Sequence, residues 1–174
     1  MTTIEPRTVQ PFTGPEATAW ARLVAVSELL PTVLDAQLLR DVELTHFEYL
    51  VLSVLAASPE RTSRMTRLAS QTNATLPRLS HVARRLEEKG LLERFPCPED
   101  KRATNARLTA AGSAVLEDAA PGHIATVRAN VLDALGPDEL EQLAAIGSRI
   151  LGRLDPEGRL SASQCDSAVL GEPR

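Results

Sequence analysis

Apolar residues between Thr75 and Lys89 recur with the period of an α-helix. They fall at i, i+3, i+4 and i+7 and so lie on one stripe: Leu79, Val82, Ala83 and Leu86. The other face is polar and mostly basic. Thr75 is placed to cap the amino terminus, Pro77 lies in the first turn, where its missing N–H is not needed, and Gly90 follows the last turn. The pattern predicts a helix with both ends marked, one buried stripe and one charged face.

A shorter helical segment and a polar turn precede this helix. Residues 65–71 carry Leu68 and Ala69 as an inward pair, and residues 72–74 read Thr-Asn-Ala. Two helices joined by such a turn form a helix-turn-helix, whose second helix is the recognition helix and lies in the major groove of DNA. We therefore expect the second helix to contact DNA through its first turns and outer face: Thr75, Pro77, Arg78, Ser80, His81, Arg84 and Arg85.

Two short strand patterns follow the recognition helix. Residues 91–95 and 104–108 each read as a strand, and the segment between them holds two prolines and four charged residues. This order is typical of a β-hairpin wing. Lys101 and Arg102 at its tip are placed to reach a minor groove, whose negative potential favours arginine. Two roles are open to Asp100: it pairs with Arg102 to hold the tip rigid, or it orients Arg102 toward phosphate.

The charges of the chain are segregated. Residues 61–107 hold eleven basic and five acidic side chains, a net charge of +6, whereas the rest of the chain carries −10 and the whole chain −4. An acidic protein is a poor general match for nucleic acid, but screening at physiological salt limits a surface field to about 8 Å. The local excess of basic residues therefore favours DNA as the partner of the winged lobe.

Several short motifs in this region resemble those of one family. They are the RLEEKGLLER junction after the recognition helix, the Asp100-x-Arg102 sequence of the wing, and the Leu108-Thr109-x-x-Gly112 sequence that opens the next helix. Together they resemble the MarR family of winged-helix transcriptional regulators, over roughly residues 16–154. Pro77 stands where many relatives carry serine, which departs from the usual pattern.

The apolar pattern outside the winged lobe predicts further helices. The Thr45-x-x-Glu48 sequence has the spacing of a capping box, and Thr109 is placed to cap the helix after the wing. Pro31 predicts a kink in the first helix, and Pro121-Gly122 predicts a bend or break in the fifth. The fold class is mainly α-helical with a small β-hairpin wing.

The domain organisation follows from these elements. We expect a flexible arm at residues 1–15, a winged helix domain with dimerisation helices at 16–154, with its DNA-binding lobe at about 45–109, and a disordered tail at 155–174. The apolar helices at 16–40 and 124–154 exceed what a winged lobe needs. They pack against the same helices of a second copy and close a twofold homodimer, or they fold back into a larger monomeric core. The resemblance implies the dimer.

Other kinds of chemistry have little support in the sequence. His46, His81 and His123 lie on separate predicted helices without Cys or carboxylate at metal spacing, so we expect no metal site, with His81 facing DNA and His46 at an ordinary surface or interface. No cofactor or catalytic motif is found, which argues against an enzyme. The longest apolar run, near residues 49–57, is too short to span a bilayer, and no secretory segment opens the chain. These features favour a cytoplasmic protein without a membrane partner.

Cys97 offers an alternative mode of regulation. It lies between two prolines of the wing, where we expect it to be exposed, and Arg94 and Lys101 are close enough in sequence to lower the pKa of its thiol modestly. The alternatives are a redox-responsive regulator, as the resemblance implies for some relatives, and a thiol with no regulatory role.

The resemblance also implies a small-molecule effector. Many members release DNA when a small, often aromatic, molecule enters a cleft between the dimer helices and the winged lobe. Trp20, His46 and Phe47 are candidates for lining such a cleft, or are plain core residues. The sequence thus favours a homodimeric repressor of an inverted-repeat operator on double-stranded DNA. Two alternatives are a winged helix that docks an acidic protein and a DNA binder without sequence preference.

Overall fold

The structure, a computed structural model, describes residues 10–100, 102–160 and 162 of the chain. The chain divides into two compact units, residues 1–33 and 34–174, which are described separately. Much of the expected arm, at residues 1–9, and much of the expected tail, at 161 and 163–174, lie outside the described residues.

The first unit contains the larger part of a long helix, α1, Gly14–Val42. Thr13 precedes it, and both its backbone N–H and its hydroxyl donate to Glu16 Oε2 at 2.8 Å. The helix continues through Pro31. Large apolar side chains of this unit are exposed to solvent: Phe12, Trp20, Leu23, Val26, Leu29 and Val33.

Helix α1 is longer and more apolar than expected, because the sequence predicted no segment able to span a membrane. The helix has 29 residues and contains an 18-residue window of mean hydropathy 1.2, which is long and apolar enough to cross a membrane by these two measures alone. The expectation rested on the longest uninterrupted apolar run. Helix α1 has no such long run and reaches this mean hydropathy with apolar and small residues interrupted by a few polar ones. The same composition suits a helix that packs against other protein helices.

The second unit holds the end of α1 and the remaining elements. In chain order these are α2 His46–Ala57, a short 3-10 turn Pro59–Arg61, β1 Thr62–Arg64, α3 Met65–Gln71, α4 Leu76–Glu88, β2 Leu92–Pro96, β3 Thr104–Leu108, α5 Ala110–Asn130, a second 3-10 turn Leu132–Ala134, and α6 Pro137–Leu154.

The wing is a three-stranded antiparallel sheet of order β1-β3-β2. Leu92 pairs with Leu108 across the hairpin, and Thr62 pairs with Arg107 on the other side of β3. The hairpin confirms the predicted wing. The strand β1 was not predicted, because three residues are too few to show an alternating pattern.

The hydrophobic core of this unit joins α2, α3 and α4 to the base of the wing. Its completely buried leucines are Leu44, Leu52, Leu55, Leu68, Leu79 and Leu86. Of the four stripe residues predicted for α4, Leu79, Ala83 and Leu86 are buried, and Val82 is partly buried against the core. The recognition helix is thus held by its apolar stripe and presents its other face to solvent.

The helix α5 continues through Pro121 and Gly122, so of the predicted bend or break the break is wrong. Gly122 instead allows the end of α1 to come close. A Cβ atom at this position would lie 2.6 Å from Asp41 Oδ2 and 3.0 Å from Gln37 Nε2, and these two side chains are hydrogen-bonded to each other at 2.8 Å. The glycine therefore marks a close helix contact and not a helix end.

The last helix, α6, begins as the Gly136-Pro137 sequence indicates, with the Gly136 N–H donating to Glu139 Oε2 at 2.8 Å. None of its residues is buried. Large apolar side chains are exposed on it: Leu143, Ile146, Ile150 and Leu154. On a helix these positions lie within one narrow stripe.

Candidate nucleic-acid interface

The recognition helix α4 has the predicted ends. The Thr75 hydroxyl accepts a hydrogen bond from the Arg78 N–H at 3.4 Å, and Gly90 has a φ of +73°, the left-handed conformation that commonly ends a helix. The predicted DNA contacts of this helix are exposed, except for half-buried Ser80: Thr75, Pro77, Arg78, His81, Arg84 and Arg85. The structure therefore presents one continuous polar face.

Arg78 rests on an aromatic ring from another helix. Its Cζ lies 4.2 Å from the centroid of the Phe47 ring, in the first turn of α2. A guanidinium over a ring face is attracted by the quadrupole of the ring, which narrows the directions that the side chain samples. Phe47 was predicted to line an effector cleft, and the structure also gives it a contact with the recognition helix.

Arg85 is bound to a buried carboxylate. Its Nη2 lies 3.3 Å from Glu48 Oε1, and the Glu48 side chain is 1% exposed. The other oxygen of Glu48 accepts a hydrogen bond from the Thr45 N–H, and the Glu48 N–H donates to the Thr45 hydroxyl, as the predicted capping box requires. Arg85 was predicted to contact DNA. Its side chain is exposed and is also held against α2, because Glu48 is buried and needs a positive partner.

His81 and Arg84 form a small cluster on the exposed face of α4. Arg84 Nη2 lies 3.2 Å from His81 Nδ1, and its Nε lies 3.9 Å from Glu88 Oε1 one turn later. An exposed pair at this spacing contributes little to stability. Both side chains are therefore easily redirected toward a ligand.

The wing tip is ordered by Asp100. Its Oδ1 accepts a hydrogen bond from the Arg102 backbone N–H at 3.1 Å, and its Oδ2 lies 4.0 Å from Arg64 Nη1. The pairing with Arg102 thus uses the backbone and leaves the Arg102 side chain exposed. Lys101, the other predicted contact at the tip, lies outside the described residues.

The prediction that Cys97 is exposed is wrong, since the residue is 6% exposed. Its thiol lies under the turn of the wing, where hydrogen bonds from the backbone of Glu99 and from the Arg64 side chain lower its pKa. The expected neighbour Arg94 is bound elsewhere, with Nη2 2.6 Å from Glu87 Oε2. Arg64 lies 33 positions before Cys97, so no local sequence pattern could have shown this contact.

A cleft of about 170 Å³ separates the wing from the start of α3 and from α4. Its polar lining comes from Arg64, Thr66, Ser80, Arg94, Arg102 and Thr104. Arg64, Thr66 and Thr104 were not predicted for any site, and Arg94 was predicted only as a neighbour of Cys97. The one signal for the two arginines was their place among the eleven basic residues of the lobe.

The first turn of α2 also carries a ring cluster. His46 stacks on His123 of α5 with centroids 6.4 Å apart, and Tyr49 lies 4.6 Å from His123. Burial lowers the pKa of both histidines, and Asp35 partly opposes this effect at His46. His46 was predicted at an ordinary surface or interface. The surface position is wrong, because the ring is half-buried against α5, and the interface stays a prediction. Within residues 10–100, 102–160 and 162, no three His, Cys, Asp or Glu side chains are grouped to hold a metal ion.

The stacked histidines predict a stability that falls with acid. Below the unfolded value of about 6.5, the unfolded chain binds more protons than the folded chain, because burial lowers the folded pKa of both rings. The free energy of unfolding is therefore greatest above this pH, and it decreases as the pH falls toward the pKa values of the two histidines in the folded chain. Thermal unfolding between pH 7.5 and 5 measures the effect. His123→Gln should reduce the dependence, whereas His81→Gln, at an exposed position, should keep it; equal profiles for both variants contradict the assignment.

Comparison with known proteins places this site in a family. A model of the MarR family matches residues 44–104. Sco3205 of Streptomyces coelicolor, a MarR family transcriptional regulator solved in complex with DNA, is 38% identical, with 92% of this chain and 96% of that chain covered and a TM-score of 0.82.

Two further solved structures have the same fold. AbsC of Streptomyces coelicolor, also a MarR family transcriptional regulator, is 32% identical over 85% of this chain and 99% of that chain, with a TM-score of 0.79. A mutant MarR of E. coli with operator DNA is 23% identical over 81% and 99% of the chains, with a TM-score of 0.69, and supports the fold alone. By its identity to the first two proteins over nearly their whole length, this chain belongs to the MarR family of transcriptional regulators.

Proposed function

We propose that this chain binds double-stranded DNA in a sequence-specific manner, with α4 in the major groove and the wing on the adjacent minor groove. The observation that carries the proposal is the exposed polar face of α4, on a lobe with a net charge of +6 in an otherwise acidic chain. A regulator 38% identical to it is solved with DNA, which supports the same partner here. Such lobes read base edges near the amino end of the recognition helix and contact phosphates around it.

The binding unit in this proposal is a homodimer. Exposed apolar side chains on α6, and separately on the first unit, need a cover that the described residues of each unit do not supply. Stripes of this size on a soluble protein mark an interface. A second copy related by a twofold axis would place two recognition helices on two half-sites of an inverted repeat, about one helical turn apart. Light scattering at several concentrations tests for the dimer.

Arg78 carries the sequence specificity in this proposal. It lies near the amino end of α4, and a bidentate arginine on guanine contributes about 1–3 kcal/mol of discrimination. Arg78→Ala is expected to lower the ratio of operator to random-duplex affinity by about 5- to 150-fold for each half-site. Arg102→Ala, at the wing, should weaken binding to both duplexes about equally. Fluorescence anisotropy with an operator found by in-vitro selection measures both ratios.

The outcomes of this experiment separate the alternatives. If Arg78→Ala lowers the affinity for both duplexes equally, Arg78 contacts the DNA backbone and not the bases. If the wild-type protein binds both duplexes with equal affinity, it is an architectural DNA binder. If it does not bind DNA but binds an acidic protein, it is a protein-interaction module.

Regulation completes the proposal. We propose that the chain is a cytoplasmic repressor and that a small aromatic effector releases it from DNA. Family membership supports this proposal, as does the ring cluster of His46, Tyr49 and His123 near Phe47. The operator titration repeated with aromatic acids tests the response. A redox response through Cys97 has weaker support, because a thiol that is 6% exposed offers little access to an oxidant.

A further inference from the structure

Arg64 joins the start of α3 to the wing. It is the last residue of β1, where it pairs with Asn105 of β3, and it is also the N-cap residue of α3. Its side chain turns toward the hairpin: Nη2 lies 3.5 Å from Cys97 Sγ and Nη1 lies 4.0 Å from Asp100 Oδ2. One guanidinium therefore contacts the start and the middle of the turn that forms the wing tip.

The backbone closes this turn tightly. The Cys97 N–H donates to the Ala103 carbonyl at 2.8 Å, and the Ala103 N–H donates to the Asp100 carbonyl at 2.8 Å. Asp100 then fixes the next residue through its bond to the Arg102 N–H. These hydrogen bonds hold Cys97, Asp100, Arg102 and Ala103 close to one another, but none of them ties the turn to a residue outside the hairpin. A contact from outside the hairpin is what limits movement of the turn as a whole.

We propose that Arg64 is a positioning residue for DNA binding, which anchors the wing tip through Cys97 and Asp100 and so sets the direction in which Arg102 leaves the protein. This inference rests on the proposed function and adds to it a residue that acts through the wing. The planar guanidinium suits the task, because it presents several N–H groups in a fixed fork that reaches sulfur and carboxylate together. Since Arg64 also occupies the N-cap position of α3, the same residue connects the wing to the helix-turn-helix.

The competing role for Arg64 is a direct phosphate contact, and DNA binding by double variants distinguishes the two. If Arg64 acts through the wing, Arg64→Gln already removes the contribution of Arg102. The double variant Arg64→Gln/Arg102→Ala should then bind the operator with an affinity within about twofold of that of Arg102→Ala alone, because the effects of residues that act as one unit are not additive. A direct phosphate contact instead gives the product of the two single losses and reduces the salt slope by about 0.9 more per contact. That result overturns the proposal.

A measurement without DNA tests the anchor itself. In full-length protein carrying Cys165→Ser, the pH midpoint at which Cys97 reacts with a disulfide reagent should rise in Arg64→Gln, since Arg64 lowers the pKa of this thiol. Arg61→Gln is the matched control, because Arg61 lies three residues earlier and contacts Ser113 at 2.7 Å. An unchanged midpoint in Arg64→Gln, or an equal rise in Arg61→Gln, contradicts the anchor.

A second variant protects the test against misfolding. If Arg64→Gln does not fold, as judged by circular dichroism, Asp100→Asn removes the other contact of the guanidinium and should be equally non-additive with Arg102→Ala. Additive losses in this pair contradict the proposal. If wild-type protein does not bind DNA, the proposed function fails, while the reactivity of Cys97 still decides whether Arg64 anchors the wing.

Discussion

Raising the salt concentration from about 50 to 200 mM is expected to weaken DNA binding by about 10³- to 10⁵-fold, if the protein contacts about 6–10 phosphates. The expectation follows from the basic lobe, whose net charge is +6 in each copy. Lysine and arginine side chains displace condensed counterions from DNA, and dilute salt favours their release. The effect is the largest that we expect, because it sums over every phosphate contact of the proposed dimer.

An anisotropy titration at five or more salt concentrations measures this slope. The logarithm of the association constant should fall linearly with the logarithm of salt concentration, by about 0.9 for each phosphate neutralised. Arg102→Ala should make the line shallower, whereas Arg128→Ala, whose guanidinium is bound to Asp133 on the α5 side of the molecule, is the control and should leave it unchanged. A flat line for the wild-type protein would remove DNA as the partner of this surface.

Gly112→Ala is expected to destabilise the protein by about 3 kcal/mol, the upper part of the usual range for overpacking. A Cβ atom at this position would lie only 2.1 Å from the Leu91 carbonyl oxygen and 2.6 Å from Leu108 Cδ1. The carbonyl oxygen has little room to move, because it accepts the Thr109 N–H at 3.2 Å. This clash explains why a glycine ends the Leu108-Thr109-x-x-Gly112 motif.

Urea unfolding at a fixed protein concentration measures the loss, since a dimer unfolds in a concentration-dependent way. The matched control is Gly152→Ala in α6. Among the described residues, no neighbouring atom lies within 4 Å of its added Cβ, and the position is on the side of the helix opposite to Leu143. Alanine there should be neutral or stabilise by up to about 1 kcal/mol. If both variants unfold at the same urea concentration, backbone crowding at Gly112 is not the reason for the glycine.

Apart from β1, the elements of the lobe could be predicted because their signals are local. The period and caps of α4 lie within sixteen residues, and the two strands of the hairpin flank a turn rich in proline and charge. Helix α5 shows the limit of the same method. Pro121 and Gly122 are read as a break when only their backbone preferences are considered, but the helix continues and the glycine accommodates the end of α1.

The contacts that shape the candidate site could not be predicted from local pattern. Phe47 and Arg78 are 31 positions apart, and Arg64 and Cys97 are 33 positions apart, so each pair meets only through the tertiary fold. Cys97 illustrates the result. Its prolines and charged neighbours suggested exposure, yet the turn folds over the thiol and Arg64 covers it from β1.

The first turn of α2 touches three different partners with three consecutive residues. His46 faces His123, Phe47 supports Arg78, and Glu48 holds Arg85. If Arg78 and Arg85 contact DNA as proposed, related proteins can diverge in operator preference without any change on the proposed DNA surface. A substitution at position 47 or 48 then removes the support of one of these arginines, so two paralogues with identical recognition helices need not share their target genes. Comparing recognition helices alone would group such paralogues together, and a comparison that includes residues 46–48 would separate them.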